Sequence, residues 1–457
     1  MSLKNRITAL EPHVPFTPRK LPFFYGWAIV AAATVGVLAS IPGQTMGVSV
    51  FTDPLIRATN LSRLELSTTY LIGTLTSSLL LPLGGSLLDR YGARAAALGA
   101  SLILGVTLVG FTQIAAAARL ATRLLGGLSP TWAAAALLTI GFTLLRFSGQ
   151  GMLTMASRTM LTKWFDQRRG LATGMSGVFV AFGFASAPWG LQELIAKADW
   201  QTAYWCLAFA VGVGISLFVW AFYRDNPEEC GLRMDGKPVH EPLDGSEMPP
   251  EVAADEAATE ARSLTRPEAL RTRAFWSVTA ALAIQAMVFT GITFHIVDLG
   301  REAGLSSEQS VSFFLPLAAV STIVGLLSGW AADRVEARVL VVAFLLAQAV
   351  GFIGAGRLSD PLFAGLMIAG GGAANGLFST IAAVAIPNLF GRMHLGAIAS
   401  AQMSCMVAGS ALGPVSLAYA KNALGSYRDG LLLCTGLALA AMLFAAVTPT
   451  PRASARS

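Results

Sequence analysis

Along this chain, long apolar runs alternate with short polar stretches. A helix needs about 20 mainly apolar residues to cross the hydrocarbon layer at 1.5 Å per residue, so the alternation predicts membrane-spanning helices. Twelve runs qualify: 25–46, 67–88, 95–116, 131–156, 171–195, 201–222, 275–298, 309–331, 339–356, 361–387, 396–419 and 428–447. Six precede a polar stretch at 223–272 and six follow it. That stretch holds twelve acidic residues and the fragment Glu251-Val-Ala-Ala-Asp-Glu-Ala-Ala-Thr-Glu260, so it reads as a partly helical or disordered linker. The predicted organisation is a cytoplasmic N-terminal segment (1–24), a six-helix bundle (25–222), a cytoplasmic linker (223–272), a second six-helix bundle (273–449) and a short tail (450–457). The expected fold class is an all-α membrane protein with 12 transmembrane helices in two pseudo-symmetric bundles.

A ten-residue pattern supports the two-bundle reading. Gly85-Ser-Leu-Leu-Asp89-Arg90-Tyr91-Gly92-Ala93-Arg94 follows the second run, and Gly329-Trp-Ala-Ala-Asp333-Arg334-Val-Glu336-Ala-Arg338 follows the eighth, 244 positions later. Gly, Asp, Arg and the final Arg keep their spacing. A weaker echo relates Gly183-Phe-Ala-Ser-Ala-Pro188 to Gly409-Ser-Ala-Leu-Gly413-Pro414, where small residues permit close helix packing and proline permits bending. Internal duplication of this kind is the organisation of secondary transporters.

Composition agrees. The chain is 54% hydrophobic and only 13% charged, against about 25% charged in soluble domains, so most of its exterior must face lipid. The net charge of +6 is no nucleic-acid signal, because no basic-aromatic stripe accompanies it. Of 32 Lys and Arg residues, 22 fall on one side of the predicted membrane, nine on the other, and Arg146 lies within a span. The positive-inside rule then places both termini in the cytoplasm, with Arg119 and Arg123 in an extra Ala-rich segment as the main exceptions. The first apolar run is too long for a signal-peptide core and is expected to be retained. The four cysteines show no metal-ligand spacing and read as small hydrophobes. No phosphate-binding loop and no catalytic set is present, so a non-enzymatic protein without cofactor is expected, with energy drawn from a gradient.

The repeated hairpin resembles the signature Gly-x-x-x-Asp-Arg-x-Gly-Arg of the major facilitator superfamily, with departures at Ala93 and at Glu336. A closer resemblance is to the branch of monocarboxylate transporters and oxalate/formate exchangers. It rests on Tyr25-Gly-Trp27, Gly47-Val-Ser-Val-Phe51, Ser62-Arg63, Trp164-Phe165 with Arg169-Gly170, Tyr223-Arg-Asp-Asn-Pro227-Glu-Glu-Cys-Gly231-Leu and Phe294-His295, in that order along the chain. The resemblance implies the major facilitator fold, alternating access by two bundles around a central site, and small organic anions as substrates.

Candidate chemistry is sparse. All 26 Asp and Glu residues fall in loops or at predicted helix ends, which leaves no mid-membrane carboxylate as proton carrier. Arg146 is the deepest charge, ~18 Å along its helix from Arg158. It suits bidentate binding of a carboxylate. Within Arg146-Phe-Ser-Gly149-Gln150-Gly151 it also resembles a superfamily motif whose arginine bonds neighbouring helices, so substrate and structural roles both stand. An imidazole titrates near neutral pH, so His295 is a candidate relay, with Asp298 one turn on able to stabilise its cation or simply anchor it. The superfamily resemblance puts Gln44, Gln150, Gln285, Asn375 and Ser379 on cavity-lining helices; Asn375 and Ser379 share one helix face. Tyr70 adds a hydroxyl. Asp89, Arg90, Arg94, Asp333, Arg334 and Arg338 are gating candidates, since a carboxylate there can bond a helix N-terminus or an arginine.

One departure shapes the substrate reading. Members of the branch often carry charge inside helix eight and some carry a lysine inside helix eleven; neither predicted span has one here. The missing clamp argues against a dicarboxylate and weakens the case for lactate. The expectation is a secondary active transporter of a monocarboxylate, with proton coupling, antiport or symport left open, in a bacterial inner membrane and functional as a monomer. Its partners are a small organic anion, a proton if coupled, and the lipid bilayer. The alternative on the same fold is an exporter of lipophilic or drug-like compounds. A membrane sensor or scaffold is the reading from another class.

Overall fold

In a membrane a helix satisfies its own backbone groups, and the apolar runs fold accordingly. The computed structural model describes residues 11–125, 129–165, 168–236, 264–332, 334–390 and 395–448, and among them there is no strand. Most of the predicted linker, the tail and Asp333 lie outside the described residues. The chain divides into two units, Met1–Pro242 and Leu243–Ser457.

The first unit contains α1 (Gly26–Ala39), α2 (Thr45–Ser49), α3 (Thr52–Thr59), α4 (Arg63–Thr112), α5 (Ile114–Leu125), α6 (Pro130–Trp164), α7 (Arg169–Ala198) and α8 (Trp200–Phe222). The second contains α9 (Arg273–Glu302), α10 (Ser307–Ala332), α11 (Ala337–Ala355), α12 (Pro361–Phe390), α13 (Leu395–Leu424) and α14 (Tyr427–Val447). Among the described residues ten stretches are long and apolar enough to cross a membrane, and α1 with the first arm of α4 completes two sets of six. The protein is an all-α, multi-pass membrane protein.

Two expectations about helix limits change. The first run, read as one helix over 25–46, stops at Ala39. A 3-10 turn at Ile41–Gly43 and extended Gln44 (φ −90°, ψ 157°) follow. Pro42 is the cause: it has no amide to donate and its ring collides with the preceding turn. At the other end of the chain, α9 continues to Glu302 and α13 to Leu424. Asp298, read as the last residue of its helix, therefore has a further turn beyond it, and Lys421 belongs to a helix rather than to a loop.

Helix starts follow local chemistry. Ser62 and Glu65 form a reciprocal capping box at α4, as do Ser306 and Gln309 at α10. Within α4, Gly92 breaks the helix with φ +85°, so the fifty residues make two arms and not one rod. A side chain at Gly92 would collide with the carboxylate of Asp225, so this place needs glycine for its dihedral and for its closeness.

In the second unit, glycine sets the helix spacing. A β-carbon on Gly409 would come within 2.7 Å of the Ala283 carbonyl, and one on Gly413 would collide with the Met287 carbonyl. Thr290 and Ser410 hydroxyls bond across the same α9–α13 seam at 2.9 Å. The glycines on α12 do the same toward α11 at Gly351 and toward α10 at Gly325, and α12 runs without a break through Gly370, Gly371 and Gly372. Gly409-Ser-Ala-Leu-Gly413-Pro414 is thus a packing seam of α13 on α9.

Gly413→Ala is expected to destabilise the protein by about 1–3 kcal/mol through overpacking against a backbone carbonyl. The check is the melting temperature in detergent beside Gly436→Ala, whose site is open. Equal melting temperatures for the two variants would refute the seam.

Candidate functional site

The break in the first span places polar groups at membrane depth inside the first unit. The Ile41–Gly43 turn lies against α6, where a β-carbon on Gly43 would sit 2.8 Å from the Gly149 Cα. On the α6 side the helix widens into a π turn, Arg146–Leu153. Such turns displace one residue from the regular ladder and cluster at functional sites. Arg146 opens that turn, 2% exposed.

Its Nη1 donates to the Gly43 carbonyl at 3.2 Å and to Thr45 Oγ1 at 3.4 Å, and the guanidinium lies 5.4 Å from the Tyr70 ring centre. Thr45 Oγ1 and the Tyr70 hydroxyl are 2.9 Å apart. Arg146 Nε is buried without a partner, and among the described residues no carboxylate pairs with Arg146. A guanidinium has five N–H donors, so much of its capacity is unused. Gln44 Nε2 donates to Ser40 Oγ at 2.9 Å, and Thr154 Oγ1 donates to the same oxygen at 3.1 Å. Arg146, Tyr70 and Gln44 are thus brought to one break. Gln150 is not: its side chain is exposed on the far part of the π turn.

The second unit carries two separate polar groups. Gln285 Nε2 on α9 donates to Asn375 Oδ1 on α12 at 2.9 Å, and Gln285 Oε1 is buried without a partner. Ser379, one turn beyond Asn375, is exposed and donates to the Gly376 carbonyl. His295 lies ten residues from Gln285, ~15 Å along the helix, and so is not part of that group. It is fully buried. Its Nε2 lies 2.8 Å from the Pro414 carbonyl, which can only accept, so Nε2 carries the proton. Nearby, the Asp298 carboxylate accepts from Arg301 at 3.0 Å, Lys421 at 2.9 Å and the Tyr427 hydroxyl at 2.9 Å. Lys421 also pairs with Glu302 at 2.7 Å. Three helices, α9, α13 and α14, meet in this ionic knot. Lys421 is the charge on helix eleven that the shorter predicted span leaves out.

The hairpin residues divide. Asp89 ends the first arm of α4, and its side chain lies outside what the structure describes, as does Asp333. Arg90 is exposed, 5.3 Å from the Tyr91 ring centre. Arg334 is exposed over Trp330 at 4.3 Å. Arg94 is different. It is 2% exposed and donates to the carbonyls of Glu11 at 3.0 Å, Val14 at 2.7 Å and Trp220. Asp225 accepts the Arg94 amide at 2.9 Å and so caps the second arm of α4. Burial pushes the Asp225 carboxyl above its ordinary range, while the amides of Arg94 and Ala93 pull the other way.

Arg224, beside it, is 1% exposed and donates to Pro12 at 2.7 Å and Phe16 at 3.2 Å, with Phe16 stacked 4.9 Å away. Two buried arginines therefore strap residues 11–16 to the first unit. In the repeat, Arg338 has a buried Nε without a partner. Sequence reasoning missed Arg224 and Asp225 as working residues, although Tyr223-Arg-Asp-Asn-Pro227 was visible. It also missed Ser40, Thr45 and Thr154, whose signal was the Pro42-Gly43 pair inside an apolar run.

Comparison with known proteins agrees with this architecture. Residues 28–414 match the family model of the Major Facilitator Superfamily. The chain belongs to the major facilitator superfamily. Among solved structures it is similar to a bacterial homolog of the human lysosomal transporter Spinster in an inward-facing and occupied conformation, at 14% identity and TM-score 0.64, covering 93% of this chain and 97% of that one. It is similar also to the D-xylose-proton symporter, at 15% identity and TM-score 0.64, covering 94% and 99%. At these identities the likeness is one of major facilitator fold. Comparison with curated protein sequences gives no match.

Arg94→Gln should free the strap. A hydrogen bond to a charged group is worth about 1.5–3 kcal/mol, so trypsin should cut at Arg19 and Lys20 at least about tenfold faster. Arg224→Gln should act the same way. Unchanged cleavage in both variants would show that the arginines do not hold the strap.

Proposed function

We propose that this major facilitator protein is a secondary active transporter of small organic anions, monocarboxylates foremost, working by alternating access of its two six-helix units. The observation that carries this reading is Arg146: a buried guanidinium, set in a helix break against a π turn, with unused donors and no carboxylate partner among the described residues. Burying an unpaired charge is costly, and a substrate carboxylate would remove that cost while taking up the free donors in bidentate form. Gln44 and Tyr70 offer neutral hydrogen bonds in the same break, and Gln285 with Asn375 and Ser379 is the corresponding polar group of the second unit. The few charges of this lining favour a monocarboxylate over a dicarboxylate. That agrees with the resemblance to the monocarboxylate and oxalate/formate branch.

Proton coupling is part of the proposal. One structural neighbour is by its name a proton symporter, and here either the substrate carboxyl or His295 would carry the proton. The hairpin residues Asp89, Arg90, Asp333, Arg334 and Arg338 are assigned to gating, and Arg94 to holding the hairpin in shape. Both termini are placed in the cytoplasm, in a bacterial inner membrane, with the monomer as the working unit.

The test is uptake of a labelled monocarboxylate panel into proteoliposomes with and without an inside-alkaline gradient. Accumulation only with the gradient is the expected result. Arg146→Gln should lower it by about 10- to 100-fold, the loss expected for one charged hydrogen-bonded pair. Absence of uptake of every acid would overturn the anion reading in favour of lipophilic export, which competition with drug-like cations would then examine.

Asp89→Asn should lower turnover without lowering the amount of folded protein in the membrane. Normal turnover in that variant would remove Asp89 from the gate.

A further inference from the structure

The helix α5 has no counterpart in the function proposed above. It joins the end of α4 at Thr112 to the start of α6 at Pro130, so it sits at one membrane boundary. Its inner face packs Ala118 and Ala121 on Ala133, Ala134 and Leu137 of α6. Its outer face is unusual. Leu120 and Leu124 are 57% and 76% exposed, and beside them Arg119 and Arg123 are exposed one turn apart. Like charges four residues apart on a helix repel.

Among the described residues no carboxylate pairs with them. Asp53 pairs with Arg63, Glu65 is taken by the Ser62 amide, Glu193 pairs with Lys197, and Asp199 caps α8 through Thr202. Arg57, on the neighbouring α3, adds a third exposed guanidinium. Among the described residues none of the three arginines forms an ion pair. Trp132, in the first turn of α6, is 72% exposed; tryptophan collects at the headgroup level, and here it marks the depth of α5.

The geometry points to α5 as an interfacial helix that binds the phosphate headgroups of anionic phospholipids through Arg119 and Arg123, with Leu120 and Leu124 among the acyl chains. Arginine meets phosphate bidentately, and an amphipathic helix with basic residues beside an apolar edge lies in the headgroup plane. The bound lipid offsets the repulsion between the two arginines and anchors the α4–α6 connection. It also gives a reason for basic residues on the side of the membrane that the positive-inside rule leaves poor in them.

The test is native mass spectrometry of the full-length protein in detergent, titrated with phosphatidylglycerol or phosphatidylcholine. Wild type should retain phosphatidylglycerol in preference to phosphatidylcholine. Each basic residue near an anionic surface strengthens attachment about fivefold, so R119Q/R123Q should weaken phosphatidylglycerol binding by about 25-fold. R119K/R123K should keep most of the preference, since the charge persists. Neither guanidinium holds a bond among the described residues, so the melting temperature should not move. Equal retention of the two lipids by wild type would overturn the proposal, as would unchanged phosphatidylglycerol binding by R119Q/R123Q. Displacement of the lipid by inorganic phosphate would overturn it too, by assigning the arginines to a soluble anion.

Discussion

A guanidinium removed from water must find acceptors, and in the first unit it finds them on the main chain. Arg94, Arg146 and Arg224 are each 2% exposed or less, and each donates to backbone carbonyls. Those carbonyls are available because the chain is irregular at each place: a proline-interrupted span at Gly43, a turn and bend at Glu11 to Phe16, and a helix end at Trp220 to Tyr223. Irregular backbone in a membrane protein is tolerated only where it is satisfied internally. Arginine and broken helix therefore support one another, and the loss of either leaves buried groups unpaired on both sides.

The second unit solves the same problem with different chemistry. Its helices approach through glycine, so the backbones nearly touch and few polar groups need attention. Where charge does enter, at Asp298, it is gathered into one knot with Lys421, Arg301 and Tyr427. A carboxylate holding three donors is well compensated, and the knot fixes the ends of three helices at once. The duplicated sequence pattern thus covers two halves with unlike interiors. Arg94 and its counterpart Arg338 each keep a buried Nε idle, but Arg94 also donates to the carbonyls of Glu11, Val14 and Trp220.

Much of the fold was legible, because a span of about 20 apolar residues has one stable solution in lipid and hydropathy reports it directly. Helix limits were less legible. Hydropathy ends where charge begins, yet α9 runs past Asp298 to Glu302 and α13 past Lys421 to Leu424, since pairing lets a charge remain in a helix. The break at Pro42 was written in the sequence but masked by the apolar residues around it. In the site, Arg146, Tyr70 and Gln44 could be named from residue type and depth. The strap could not, because its acceptors are carbonyls, which every residue carries and no pattern marks.

The strap has a consequence for how the first unit is made. Phe16 is held by Arg224, 208 residues further along the chain. Ring closure over that separation has to wait until the sixth span has been synthesised and inserted, so residues 11–16 are made before that span and reach their place only after it. Until then Arg224 has no docked strap to donate to, and the strap has no anchor. The strap of residues 11–16 therefore acts as a seal on the finished unit, applied only after the helices it closes have assembled.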